Sequence, residues 1–157
     1  MAKASHPIPP GMRTVTAMLA VDGAAEAIDL YARAFGAVEL PGRAPDPSGK
    51  KIWHAEIRIG DSIVFVNDAS PEMGNPARPS ALWLCVEDCD AFYARAVAAG
   101  LKSEMPPMDM FWGDRTATVV DPYGYAWSFA THVRDLTEDE MRKAGEEFAR
   151  QMAAKPQ

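Results

Sequence analysis

VVDPYGYAWSFATH, residues 119–132, holds two apolar runs on either side of Asp121-Pro122-Tyr123-Gly124. Proline presets φ in a tight turn and glycine accepts its left-handed position, so the stretch predicts strand, turn, strand. Such a hairpin can simply close a small domain, or it can be one wall of a pocket. The choice rests on Ser128, in the middle of the second strand.

Upstream, RTATVVD predicts the strand entering the turn, PMDMFWGD a loop, and residues 101–106 a short strand. Asp88 is placed to cap a helix that carries Cys89, Phe92, Tyr93, Ala96 and Val97 on one face and ends at Gly100. ALWLCV (81–86) predicts the strand before it. Before the Pro- and Gly-rich stretch ASPEMGNPARP (69–79) the same order occurs. TVTAMLAV (14–21) predicts a strand. Asp22 or Gly23 caps a helix with Ile28, Tyr31, Ala32 and Phe35 on one face, stopped by Gly36. AVELPGR is a short strand and PDPSGK a loop, and KIWHAEIRI and SIVFVND are strands joined at Gly60-Asp61. Pro7, Pro9 and Pro10 make residues 1–13 an irregular arm. Thr137 and Glu140 form a capping box for the helix TEDEMRKAGEEFARQM.

The order is thus β-α-β-β-β, linker, β-α-β-β-β, helix. Val21 and Val86 lie 65 apart, and Gly36–Gly100 and Gly60–Gly124 each lie 64 apart. Three punctuation points at a near-constant offset mark a duplication. The word YARA at 31–34 and 93–96 is out of that register and reflects helix-forming composition.

The 157 residues suffice for one domain with a core, and 48% apolar with 24% charged residues is an ordinary globular composition. No apolar run is long enough for a membrane span, and the proline-broken start carries no secretion signal. A net charge of −6 without a basic stripe argues against nucleic acid and against an anionic membrane surface. Cys85 and Cys89 lack the company of a zinc site and are expected to be buried free thiols of a cytoplasmic protein.

LAVDGAAEAIDLYARAFGA opening one half and DPYGYAWSFATH closing the other resemble the vicinal oxygen chelate superfamily, which includes glyoxalases, extradiol dioxygenases and bleomycin-binding proteins. HAEIRIGDSIVF, FWGDR and ATHVRDLTEDEM are most similar to its PhnB-like, glyoxalase-related branch. The resemblance implies an α+β fold: tandem βαβββ modules forming a curled eight-stranded mixed sheet around a cleft, plus a C-terminal helix. The expected organisation is a single domain over 1–157, with a first module at 14–68, a linker at 69–79, a second module at 80–132 and a helix at 137–153. The resemblance also implies a homodimer and a small-molecule ligand.

In metal-using members the ligands come from the first and last strands of each half. The resemblance carries these positions to Thr16, Val64, Ala81 and Ser128. Zinc, iron or manganese needs imidazole, carboxylate or thiolate there, so the expectation is no metal and no other cofactor. A divalent metal at another place is the alternative.

If Thr16 and Ser128 face inward, alternation brings Thr14, Met18, Trp83, Cys85, Ala126 and Ala130 with them, an apolar lining with a few hydroxyls. Trp83 can stack on a planar ring. In the FWGDR loop, Phe111, Trp112, Asp114 and Arg115 are ligand-binding candidates. Against that, Phe111 and Trp112 can pack on a dimer partner while Asp114 and Arg115 pair with each other. Met105, Met108 and Met110 are nearby as an adaptable rim or as core filling. His54 and Glu56 share a strand face and are the catalytic candidates, as an acid–base pair or half a metal site. The plainer reading is a polar face with a Glu56–Arg58 or cross-strand ion pair. His132 is expected to hydrogen-bond at the end of the last strand.

Two classes of function follow. One is a small-molecule-binding protein of the glyoxalase/bleomycin resistance type that has lost its metal ligands and holds a partly apolar or aromatic ligand. The other is a glyoxalase-related lyase or isomerase using a relocated metal or His54 and Glu56.

Overall fold

Each half of the chain lays one helix across one face of a sheet. The computed structural model describes residues 4–154, so the first three residues of the expected arm lie outside it. The chain divides between Ser80 and Ala81 into two units, each with its own sheet.

The first unit contains β1 (Met18–Val21), α1 (Ala24–Phe35), β2 (Val38–Glu39), β3 (Ala44–Pro45), β4 (Ile52–Ile59) and β5 (Ser62–Asp68). Its strand order is β1-β5-β4-β2, with β3 also on β4. The β1–β5 pair is parallel and the others are antiparallel. The parallel pair follows from the α1 crossover, because a tight hairpin can join antiparallel neighbours but not parallel ones. Leu19, Val21, Ala55, Ile57, Val64 and Val66 are buried on one sheet face, and Ala24, Ala27, Ile28, Tyr31 and Phe35 are buried on α1. The helical face differs from expectation at one place: Ala34 is buried and Ala32 is exposed.

The second unit contains β6 (Ala81–Cys85), α2 (Cys89–Ala98), β7 (Lys102–Asp109), β8 (Asp114–Val120), β9 (Ala126–His132) and α3 (Glu138–Ala153). Its order is β6-β9-β8-β7, again with a parallel first pair. Trp127, Phe129, Ala117 and Val119 are fully buried on the side where α2 places Cys89 and Ala96. Val97, expected on the same helix face, is 38% exposed.

The α+β class, the tandem βαβββ order and the C-terminal helix are as expected. Three boundaries differ. β1 starts at Met18, so Thr14 and Thr16 precede it. The AVELPGR stretch is strand only over β2, and a second short strand, β3, follows it and takes in Pro45 of the expected PDPSGK loop; both pair with β4. β7 runs on to Asp109 through Pro106 and Pro107, as an edge strand whose register shifts between Met105 and Met108. Proline is tolerated there because an edge strand needs only one side of its ladder.

Helix starts are served from the last strand of each unit, which pairs with the first. α1 begins at Gly23, which has no side chain to cap it. Asp68, at the end of β5, supplies the acceptor: its Oδ1 takes the N–H groups of Gly23 (3.0 Å) and Ala24 (3.1 Å), and its Oδ2 takes that of Ile52 (2.6 Å). In the second unit Thr131, at the end of β9, accepts from the Cys89 N–H at 2.8 Å and donates to the Val86 carbonyl at 2.9 Å. Asp88 caps α2 by accepting from the Ala91 N–H at 2.9 Å, as expected. The Thr137–Glu140 capping box of α3 is also present.

The turn at 121–124 is held by one buried carboxylate. Asp121 accepts from the Tyr123 and Tyr125 N–H groups and from the Trp127 indole, each at 2.9 Å. Its aspartate thereby fixes both the turn and the largest buried side chain of β9.

Candidate functional site

With Trp127 and Phe129 committed to the helix side, alternation sends Ala126, Ser128 and Ala130 to the other face of β9. Ladder pairing extends that face across the sheet. Trp83, Ser128 and Thr118 form one row, and Cys85, Ala130 and Thr116 the next. The Ser128 and Thr118 hydroxyls share a hydrogen bond of 3.0 Å. Trp83 is 54% exposed beside them. Thr116 is 1% exposed, and its hydroxyl has no hydrogen-bond partner among the described residues.

At one end of this face is a pocket of about 310 Å³, lined by Cys85, Val86, Glu87, Asp114, Ala130 and His132. Cys85 is exposed there, contrary to the expectation of two buried thiols; Cys89 is buried, and that burial pushes its thiol pKa up. The two differ because Cys85 is on the face away from α2, whereas Cys89 starts that helix.

His132 ends β9 between two carboxylates, with Nδ1 2.8 Å from Asp114 and Nε2 3.0 Å from Asp135. Both ring nitrogens are donors in the imidazolium form. Asp114, then Asp135, raise its pKa above the ordinary 6.5. A raised folded-state value means the stabilisation is complete below the ordinary pKa and is lost as pH rises through the raised one. The melting-temperature advantage of the wild type over His132→Gln should therefore be largest below the ordinary imidazole pKa of about 6.5 and shrink as the pH rises above it. An advantage that grows with pH would contradict the paired imidazolium.

The FWGDR loop has different partners from those expected. Asp114 and Arg115 do not pair with each other, because they point to opposite faces of β8. Asp114 accepts from the Trp112 indole at 3.0 Å and meets His132. Arg115 reaches α2, with Nη2 2.8 Å from Asp90, and its Nη1 lies 3.0 Å from Asp109. Those two hydrogen bonds raise the arginine pKa further and, in return, hold Asp90 below its usual range. Arg115 is thus engaged by two carboxylates and sits on the helix side, away from Ser128. Phe111 packs within its own unit, its ring 5.2 Å from that of Phe148 on α3 and 5.0 Å from that of Trp112.

In the first unit, His54 and Glu56 are brought together, Nε2 to Oε1 at 3.3 Å, and His54 stands edge-on to Phe65 at 4.8 Å. This His–Glu contact replaces the anticipated Glu56–Arg58 pair. The position matching Ser128 also shifts. β1 sets Met18 beside Phe65, while β6 sets Trp83 beside Ser128. The first strands keep the offset of 65 but the last strands differ by 63, so Phe65 takes the place assigned to Val64. Val64 itself is buried against the helix side. Among the described residues, no three His, Cys, Asp or Glu side chains are grouped to hold a metal ion.

The model of the Glyoxalase/Bleomycin resistance protein/Dioxygenase superfamily matches residues 13–129. The chain belongs to this superfamily. Among its relatives is the uncharacterized protein Mb0911c of Mycobacterium bovis, 44% identical over 135 residues, a match covering 80% of this chain and 88% of that protein. The solved structure of TioX from Micromonospora sp. ML1 is similar at 28% identity and a TM-score of 0.65, covering 78% of this chain and all (100%) of that one. A PhnB protein from Bacillus cereus, titled a putative 3-demethylubiquinone-9 3-methyltransferase, shares the fold at 17% identity and a TM-score of 0.59, covering 76% and 99% of the two chains. Superfamily membership accounts for the duplicated order and leaves the chemistry to the individual site. The His132–Asp114–Asp135 cluster was not among the predicted site residues as a unit. A histidine ending a strand, with an aspartate three positions on, is the available signal. The orphaned Thr116 hydroxyl had none, because its isolation depends on its neighbours across the sheet.

Proposed function

We propose that the chain is a small-molecule-binding protein of the glyoxalase/bleomycin resistance type, holding a partly apolar or aromatic ligand on the face of the second sheet away from α2. The observation that carries this reading is the pair of rows Trp83–Ser128–Thr118 and Cys85–Ala130–Thr116. It combines an exposed indole, small residues that leave room, and hydroxyls that orient, one of them buried without a partner. Small-molecule sites are built this way, from apolar walls with a few polar groups. The donor set at the superfamily's metal positions does not fit an ion: Thr16, Phe65, Ala81 and Ser128 offer two neutral hydroxyls at most, and Ser128 is bonded to Thr118. The ligand is therefore held by burial and hydrogen bonds.

A thermal-shift screen of aromatic and amphipathic compounds should yield stabilisers. Trp83→Ala should weaken their binding by about tenfold, the loss expected when a stacking surface worth ~1–1.5 kcal/mol is removed. A screen without stabilisers, or stabilisers indifferent to Trp83→Ala, would count against this reading. So would one tightly held transition-metal ion per chain after purification without chelator.

The His54–Glu56 contact favours a second reading, acid–base catalysis by that pair in a lyase or isomerase. Its test is turnover of an α-oxo or hydroxy substrate that disappears in both His54→Ala and Glu56→Gln.

A further inference from the structure

The loop 110–113 and α3 form a second pocket, also about 310 Å³, whose lining includes Met110, Phe111, Arg134, Ala144 and Phe148. It shares no residue with the pocket at Cys85 and His132. We propose that it binds a small aromatic carboxylate, with the ring against Phe111 and Phe148 and the carboxylate on Arg134.

The apolar wall is built for a ring. Phe111 and Phe148 are tilted by 33° with centroids 5.2 Å apart, and Trp112 meets Phe111 edge-on. Gly145 on α3 lies against the Phe111 ring, where an added Cβ would be in van der Waals contact at 3.4 Å. A third ring in offset or edge geometry gains both burial and quadrupole attraction.

The charge on this pocket is decided by which groups are already used. Its lining includes two carboxylates, Asp109 and Glu147, that would repel an anion if free. Both are ion-paired, Asp109 through an arginine that it shares with Asp90. Asp109 accepts from Arg115 at 3.0 Å, and Glu147 accepts from Arg150 at 2.6 Å and from Gln151 at 3.1 Å. Arg134 differs: its backbone N–H is used by Gly113, but its guanidinium donates no hydrogen bond among the described residues. It acts on Glu140 through space, while that carboxylate takes its hydrogen bonds from Thr137. The pocket therefore presents one open cation beside two aromatic rings. A guanidinium fork matches a carboxylate in two parallel hydrogen bonds, which sets the class of ligand. A volume of about 310 Å³ is at the lower end of the range for ligand sites, which limits the ligand to about one ring and a short acid arm.

The probe is phenylacetate, titrated into the full-length ¹⁵N-labelled protein. Expected are saturable shifts at the Trp112 indole N–H and at the amides of Phe111, Gly145 and Phe148. Neutral phenylacetamide and ring-less acetate should each bind ~tenfold more weakly, and so should phenylacetate to Arg134→Gln, with Arg134→Lys in between. Ala144→Trp, which fills the space, should abolish the shifts while circular dichroism shows α3 intact. Trp83→Ala should leave the phenylacetate shifts at Phe111, Gly145 and Phe148 unchanged, which separates this pocket from the Trp83 face of the second sheet. Equal binding of phenylacetamide, wild-type affinity in Arg134→Gln, absence of saturable shifts, or shifts centred on Cys85 and His132 would each overturn the proposal.

Discussion

Replacing Gly113 with alanine is expected to lower the melting temperature by about 10 °C and to loosen α3. Gly113 has φ +99°, and a Cβ there would be 2.3 Å from the Arg134 carbonyl oxygen. The obstructing atom belongs to the backbone, so no side-chain rotation relieves it. The same glycine offers its carbonyl to the Val133 and Arg134 N–H groups, both at 3.0 Å. An L-residue in this conformation costs roughly 1–2 kcal/mol, and losing two hydrogen bonds adds about 1 kcal/mol each. The total of ~3–4 kcal/mol converts to the stated shift at ~2–4 °C per kcal/mol for a chain of this size. Phe111 moves with the loop, so the near-ultraviolet dichroism of Phe111, Trp112 and Phe148 should fall as well. Gly42→Ala is the control, because Gly42 has φ +115° but nothing within 4 Å of an added Cβ. If Gly113→Ala melts no lower than Gly42→Ala, the close approach to Arg134 is not structural.

The second large effect is expected at Asp68. Asp68→Ala leaves the N–H groups of Gly23, Ala24 and Ile52 without acceptors, and two of those bonds are buried. Each stranded buried donor costs ~1–3 kcal/mol, and the start of α1 has no other side-chain cap, so a loss of ~3–5 kcal/mol is expected in urea or thermal unfolding. Asp68→Asn should recover part of it, since one oxygen remains to accept. Thr131→Val, the counterpart in the second unit, should cost less, roughly 1–2 kcal/mol, because Asp88 still caps α2. A loss under ~1 kcal/mol in Asp68→Ala would mean that water reaches those donors and that the carboxylate does not organise the helix start.

The duplicated order and the hairpins could be read from the residues because each depends on local chemistry. Asp121-Pro122-Tyr123-Gly124 forms its turn from its own atoms, and the capping box of α3 is written at Thr137 and Glu140. What the pattern missed depends on contacts distant in sequence. Asp68 lies 44 residues from the Ala24 N–H it accepts, and nothing near Gly23 announces it. The equivalence of Phe65 rather than Val64 with Ser128 emerges from strand register, which glycine spacing locates only to within a residue. Likewise, local pairing suggested Asp114 with Arg115, but neighbours on a strand point to opposite faces. The alternation that put Trp83, Cys85, Ala126, Ser128 and Ala130 together held, since period two survives an error in where a strand begins.

Pro106 and Pro107 sit in succession on β7, at the rim of the second sheet. Two consecutive residues without an N–H cannot donate to an incoming strand, and the register break beside them disrupts any continuous ladder. Fibril growth by edge-to-edge polymerisation is therefore blocked along that rim, and chains that associate there must do so through side chains.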